Sequence, residues 1–201
     1  MLYLHIITGS VALLTGLLAL VLRKGSVAHK RMGDMFFGAM LLCSGAGLCL
    51  ALNGGNQFLL VIAVFSLYLT LAGFSALFVL KSPAARILGQ LLASVMAFGV
   101  VGFVVLASDA FQNGNVLAGF LLTLFGALAG FLVVQDYRFF RHDRGSVMSQ
   151  HIGRMVGAWI AALSAFLVVN QTLQPPVLNW VAPLVIGVPM IVYWIRRFTR
   201  P

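Results

Sequence analysis

Seven stretches of this chain, at about 3–22, 32–53, 57–80, 87–108, 116–135, 151–172 and 177–195, run for roughly twenty residues each with almost no charge. Twenty helical residues span the ~30 Å hydrocarbon core of a bilayer. Within hydrocarbon every backbone N–H and C=O must be satisfied by the protein itself, which leaves helices or a closed barrel. The apolar runs are continuous rather than alternating with period two, and that selects helices. Composition agrees: 61% of the 201 residues are hydrophobic and 8% are charged, where a soluble domain carries roughly a quarter charged residues. The connections are short and hold Gly, Asn, Pro or charge, so no segment is long enough to form a soluble domain of its own. The expected architecture is all-α: one polytopic transmembrane domain over residues 1–201, a bundle of seven helices with the lipid bilayer as its solvent.

The formal net charge of +9, from 13 Lys/Arg against 4 Asp and no Glu, does not point to nucleic acid, because no polar basic face exists to receive it. It sets orientation instead. With the first span starting outside, the inner segments are 23–31, 81–86, 136–154 and the tail from Arg196. These hold all 13 basic residues, and the positive-inside rule then places the N-terminus out and the C-terminus in. The first span has no basic residue ahead of it and is followed by Arg23-Lys24, the reverse of a cleaved signal peptide, so it is expected to be retained. Cys43 and Cys49 lie six residues apart on one span, about 600° around a helix, and read as small core residues without C-x-x-C chemistry. Trp180 and the Tyr193-Trp194 pair bracket the last span like an interfacial belt. Pro183 and Pro189 should kink it.

One internal similarity carries further. The first inner segment reads Gly25-Ser26-Val27, then His29, Arg31-Met32 and Gly33. The third reads Gly145-Ser146-Val147, then His151, Arg154-Met155 and Gly157. Each places a histidine at the start of a span. The match raises a parallel 3+1+3 arrangement, in which spans 1–3 and 5–7 are related about the membrane normal and joined by span 4.

Ionisable residues at membrane depth are functional candidates by default. They are His5 near the outer end of span 1; His29 and Asp34 at the start of span 2; Asp136 closing span 5; and His151 with Arg154 opening span 6. His142, among charged neighbours, reads as a solvated loop histidine. If the repeat holds, His29 and His151 face one another across a cavity at the inner end. Two neutral imidazoles so placed can ligate haem iron axially or form two corners of a metal site. Gly33, four residues after His29, leaves room for a flat macrocycle. Met155, four after His151, would pack softly on its face. Arg31 and Arg154 suit haem propionates.

The segments Leu4-His5-Ile6…Gly9, His29-Lys30-Arg31-Met32-Gly33…Phe36 and His151…Met155…Trp159 resemble a prokaryotic family of multi-pass membrane proteins of unknown function. Its motifs are an early histidine, a His-basic-x-x-Gly-x-x-aromatic opening of a helix, and a late His followed by Met and an aromatic. The resemblance implies a bacterial cytoplasmic (inner) membrane and makes His5, His29 and His151 the family-type positions. It departs at Asp34, where a basic residue is expected after the Gly, and it implies no activity.

Four readings follow from these residues. In the first, haem b between His29 and His151, held by Arg31 and Arg154, serves local redox exchange with a quinone-class partner. The second is a zinc hydrolase with His29, His151 and Asp34 as ligands, although no H-E-x-x-H and no Glu base exist. A third is a small-solute transporter built on the parallel repeat. The fourth is an accessory or scaffold subunit without chemistry. Whether the chain is an enzyme at all is left open between them.

Overall fold

The computed structural model describes residues 1–142 and 146–199, without the side chains of His142 and Thr199. All its long elements are helices: α1 Leu2–Val21, α2 Val27–Asn53, α3 Gln57–Ser75, α4 Pro83–Gln112, α5 Val116–His142, α6 Val147–Asn170 and α7 Val177–Thr199, with a 3-10 turn Ala76–Phe78 extending α3. All seven are long and apolar enough to cross a membrane. The exterior is apolar to match, with residues such as Phe98 and Val169 about four-fifths exposed. Exposure of that degree is tolerable only against lipid.

The helix ends carry recognisable signals. Ser26, Asn56 and Ser82 each accept a backbone N–H three residues on, and Pro83 follows Ser82 in the first turn, where its missing donor costs nothing. Gly25, Gly55 and Gly114 take positive φ in the intervening turns. Several helices outrun the apolar stretches that announce them. α2 starts at Val27 rather than 32, and α5 continues through Asp136 to His142. A helix does not stop where lipid does, so hydropathy marks the apolar part of each helix and leaves its polar ends unread.

Packing pairs α1 with α2 and α4 with α5. α3 and α6 lie together between these pairs, and α7 rests on α6. This arrangement departs from the 3+1+3 repeat. A repeat would lay α5 along α6 as α1 lies along α2, whereas α5 packs along α4 and its backbone does not run close along α6. The Gly-Ser-Val similarity is better explained locally: Ser26 and Ser146 are both N-cap residues, and the motif marks a helix start.

Phe65 sits at the centre, edge-on to Phe103 and Phe125. Trp180, near the start of α7, is half-buried. It packs inward on Phe58 and Phe125, and its carbonyl accepts the Ser164 hydroxyl. α7 runs on through Pro183 and Pro189.

Seven successive crossings would put the two termini on opposite sides, and the described basic residues lie in or beside the α1–α2, α3–α4 and α5–α6 connections and at the end of α7. A reporter active only in the cytoplasm should therefore be active when fused after Arg200 and silent at Asn113. The reverse pattern would invert the orientation.

Candidate functional site

The two histidines that open α2 and α6 are fixed in the same way. Ser26 caps α2 by accepting the His29 backbone N–H at 3.1 Å, which sets His29 in the first turn. Its Nδ1 then donates across to the Ala19 carbonyl of α1 at 3.0 Å. His151, one turn into α6, donates from Nδ1 to the Gly73 carbonyl of α3, also at 3.0 Å. A carbonyl only accepts, so each ring carries its proton on Nδ1, and in the neutral form its lone pair is on Nε2. The partners are not symmetry-related: His29 turns to the preceding helix and His151 to α3.

Both rings line one cavity of about 320 Å³ at the basic end of the bundle, a size at the lower end of small-molecule sites. Its walls are apolar and aromatic, with Phe36, Phe74, Met155 and Trp159 prominent. Trp159 is locked by donating Nε1–H to the Leu13 carbonyl at 3.1 Å. Gly16 makes this wall possible, since a Cβ there would collide with the Trp159 and Phe36 rings. Gly33 borders the cavity differently: a Cβ would meet nothing within 4 Å. That emptiness is space a ligand can use.

Positive charge stands at the mouth. The Lys24 ammonium donates to the carbonyls of Ala19 and Leu20, the last turn of α1, and lies 4.6 Å from the centre of the Trp194 ring. Such a cation at a helix C-terminus is favourable. Partial burial pushes its pKa below the ordinary lysine value. Lys30 also lines the cavity.

Other expected site residues lie elsewhere. Arg31 is exposed and does not line the cavity. Two residues beyond His29 is about 200° around the helix, so it faces away. Asp34 does reach the cavity rim, but it stands ~140° from His29 around α2. Among the described residues no three His, Cys, Asp or Glu side chains come together to hold a metal ion. His29, His151 and Asp34 thus share a cavity without forming a three-ligand zinc set. His142 closes α5, and its side chain lies outside the described residues.

Arg154 is the largest departure. It is 2% exposed and lies between helices, not in the cavity. Its guanidinium bonds Asp136 Oδ1 at 2.5 Å, the Leu132 carbonyl at 3.0 Å and Gln135 Oε1 at 3.1 Å. Tyr68 donates its hydroxyl to Asp136 Oδ2 at 2.5 Å. This buried cluster ties α3, α5 and α6 together. Composition offered one clue to it, since an Asp inside an apolar helix demands a partner; the identity of that partner is set by tertiary packing.

His5 lies at the opposite end of α1, where Nδ1 donates to the Cys43 carbonyl at 2.9 Å and the Cys43 thiol sits 3.4 Å away. Cys43 is therefore not a bland core residue, but a partner of the one outer histidine. Cys49 is exposed.

No protein-family model matches this chain, and no curated protein or solved structure matches it either. The functional argument therefore rests on the geometry of the cavity.

Proposed function

We propose that the cavity holds haem b between His29 and His151 and that the protein carries out local redox exchange with a lipid-soluble, quinol-class partner. The observation that carries this reading is the paired Nδ1–H···O=C bond. Metal-binding histidines characteristically give their second nitrogen to a carbonyl or carboxylate, which fixes the tautomer and raises the basicity of the ligating nitrogen. Here two histidines on one apolar cavity, from different helices, are fixed in this manner. Iron held by porphyrin needs only two further ligands, so the lack of a third nearby carboxylate or thiolate is no obstacle.

The surroundings suit the same group. Aromatic walls and Met155 offer apolar, polarisable contact for a macrocycle. The space beside Gly33 is open. Lys24 and Lys30 line the cavity where Arg31 and Arg154 do not, and would be the cations to meet propionates. Haem bound here would supply one-electron chemistry, while the chain's own residues hold it, exclude water and set the local charge. One haem at one end of the bundle cannot pass an electron across ~30 Å of hydrocarbon, so exchange must be local.

Protein produced with ample haem should be red, with the intense low-spin spectrum of bis-imidazole iron. A colourless preparation that also refuses added haemin would overturn the proposal. Gly33→Phe supplies an independent check. Its ring should occupy the open space and exclude haem, while the helix keeps its stability because a Cβ there meets nothing. Full haem binding by a folded Gly33→Phe variant would place the macrocycle elsewhere.

A further inference from the structure

The cavity has an unusual boundary. α1 contributes Gly16, Ala19 and Leu20 to its lining, and α7 contributes Trp194 and Phe198. Yet α1 and α7 do not pack along one another: α7 rests on α6, and α1 lies on α2 and more lightly on α6. The cavity therefore extends into a seam between two helices that are not joined. Trp194 and Phe198 lie on successive turns of α7, their rings stacked at 5.8 Å, and the Lys24 ammonium, just beyond the end of α1, lies over the Trp194 ring. Phe198 is exposed, as are Leu17 and Val21 on α1. Arg196 and Arg197, also exposed, lie between Trp194 and Phe198 in sequence, so the seam opens where the apolar flank of the bundle meets its basic end.

We infer that the cavity is loaded sideways from the bilayer through the α1/α7 seam, and that Lys24 selects a ligand bearing a carboxylate at its trailing edge. The inference rests on the haem reading for its cargo. Haem is a flat amphiphile that partitions into membranes with its two propionates toward the interface. Entering macrocycle first, it would pass Trp194 and Phe198 as flat aromatic surface and bring its propionates to Lys24. The lysine already uses two of its protons on the Ala19 and Leu20 carbonyls, and an ammonium has three. The third remains for a carboxylate oxygen. The lysine need not leave the half-buried Trp194 ring to use it, because the two carbonyls and the ring leave one N–H direction open. A seam open to the bilayer also favours a membrane-soluble reductant over a water-soluble protein.

The test uses the full-length protein, with Cys43→Ala and Cys49→Ser removing the native thiols, reconstituted in vesicles. Leu20→Cys and Phe198→Cys place one thiol on each side of the seam for a short bis-maleimide bridge. Bridged protein should fail to take haem from haem-loaded vesicles under conditions in which the unbridged protein and both single-Cys proteins, treated with the same reagent, become saturated. Protein loaded before bridging should keep its spectrum. Equal loading with and without the bridge would overturn the seam as the route and leave the haem site standing. Loading from haemin in the aqueous phase but not from vesicles would also overturn it. Failure of every form to bind haem from any source would overturn the haem reading itself, and with it the cargo assigned to the seam. Lys24→Met tests the selection separately, since it keeps the apolar stem and removes the charge. It should weaken haem binding by about 10–100-fold, the loss expected for one charge-assisted hydrogen bond, and leave the dimethyl ester of haem unaffected. Equal weakening for acid and ester would make Lys24 merely structural and overturn its selective role.

Discussion

Either His29→Ala or His151→Ala should abolish the low-spin haem spectrum, the largest change expected of any single substitution in this protein. In the proposed site each imidazole would supply one ligand to iron, and iron left with a single strong-field ligand would become high-spin or be lost. The substitution also vacates an imidazole-sized space. Free imidazole should therefore restore part of the low-spin spectrum in each variant, which a variant that had simply unfolded could not do. His5→Ala provides the contrast. Its ring is engaged with Cys43, and it stands fourteen helical positions before Ala19 at the cavity, about 20 Å along α1. Its spectrum should be that of the parent protein. A low-spin signal that survives loss of both His29 and His151 would remove them as ligands.

The distribution of what was legible follows from the physics of each feature. Seven helices could be read because lipid imposes one requirement on every turn, and Leu, Val, Phe and Ala meet it in runs that no soluble fold needs. Helix ends were read less well: α5 passes straight through Asp136, since helical hydrogen bonding continues after hydropathy falls. The candidate histidines were visible because ionisable groups are scarce here, and the cavity does bring His29 and His151 together. Their partners were not visible. The Ala19 and Gly73 carbonyls are backbone atoms with no signature in sequence, and Gly73 is reached from His151 across 78 residues. The same blindness misassigned Arg154. Its spacing from His151 placed both on one helix flank, but only the tertiary structure shows that Asp136, Gln135 and the Leu132 carbonyl of α5 claim the guanidinium. Arg31 failed for a simpler reason, as two residues along a helix is more than half a turn. The repeat misled because a helix-start signature and a duplicated fold look alike over nine residues.

The Tyr68–Asp136–Arg154 cluster is where stability is most exposed to single changes. Asp136 is 1% and Arg154 2% exposed, so each charge is compensated almost wholly by the other and by their hydrogen bonds. Asp136→Ala should cost about 3–5 kcal/mol, because it strands a buried guanidinium. Arg154→Met should cost a similar amount by stranding the carboxylate. Tyr68→Phe removes one hydrogen bond to a charged group and should cost less, about 1.5–3 kcal/mol. Apolar replacement of both ions, Asp136→Leu with Arg154→Met, leaves neither charge unpaired and should recover most of the loss; reversible unfolding in detergent would measure all four. Additive losses in the double variant would show that the two charges are compensated independently. The site should follow the same order. α3 and α6 approach so closely at Gly73 that a Cβ there would stand 2.8 Å from the Arg154 Cβ, and the Gly73 carbonyl is the acceptor that fixes His151. A guanidinium forced to seek water would shift α6 against α3 and break that bond. Haem affinity should thus fall in Asp136→Ala and return in the double variant, although no residue of the cluster lines the cavity. Retention of full affinity in Asp136→Ala alongside the measured loss of stability would separate the cluster from the site.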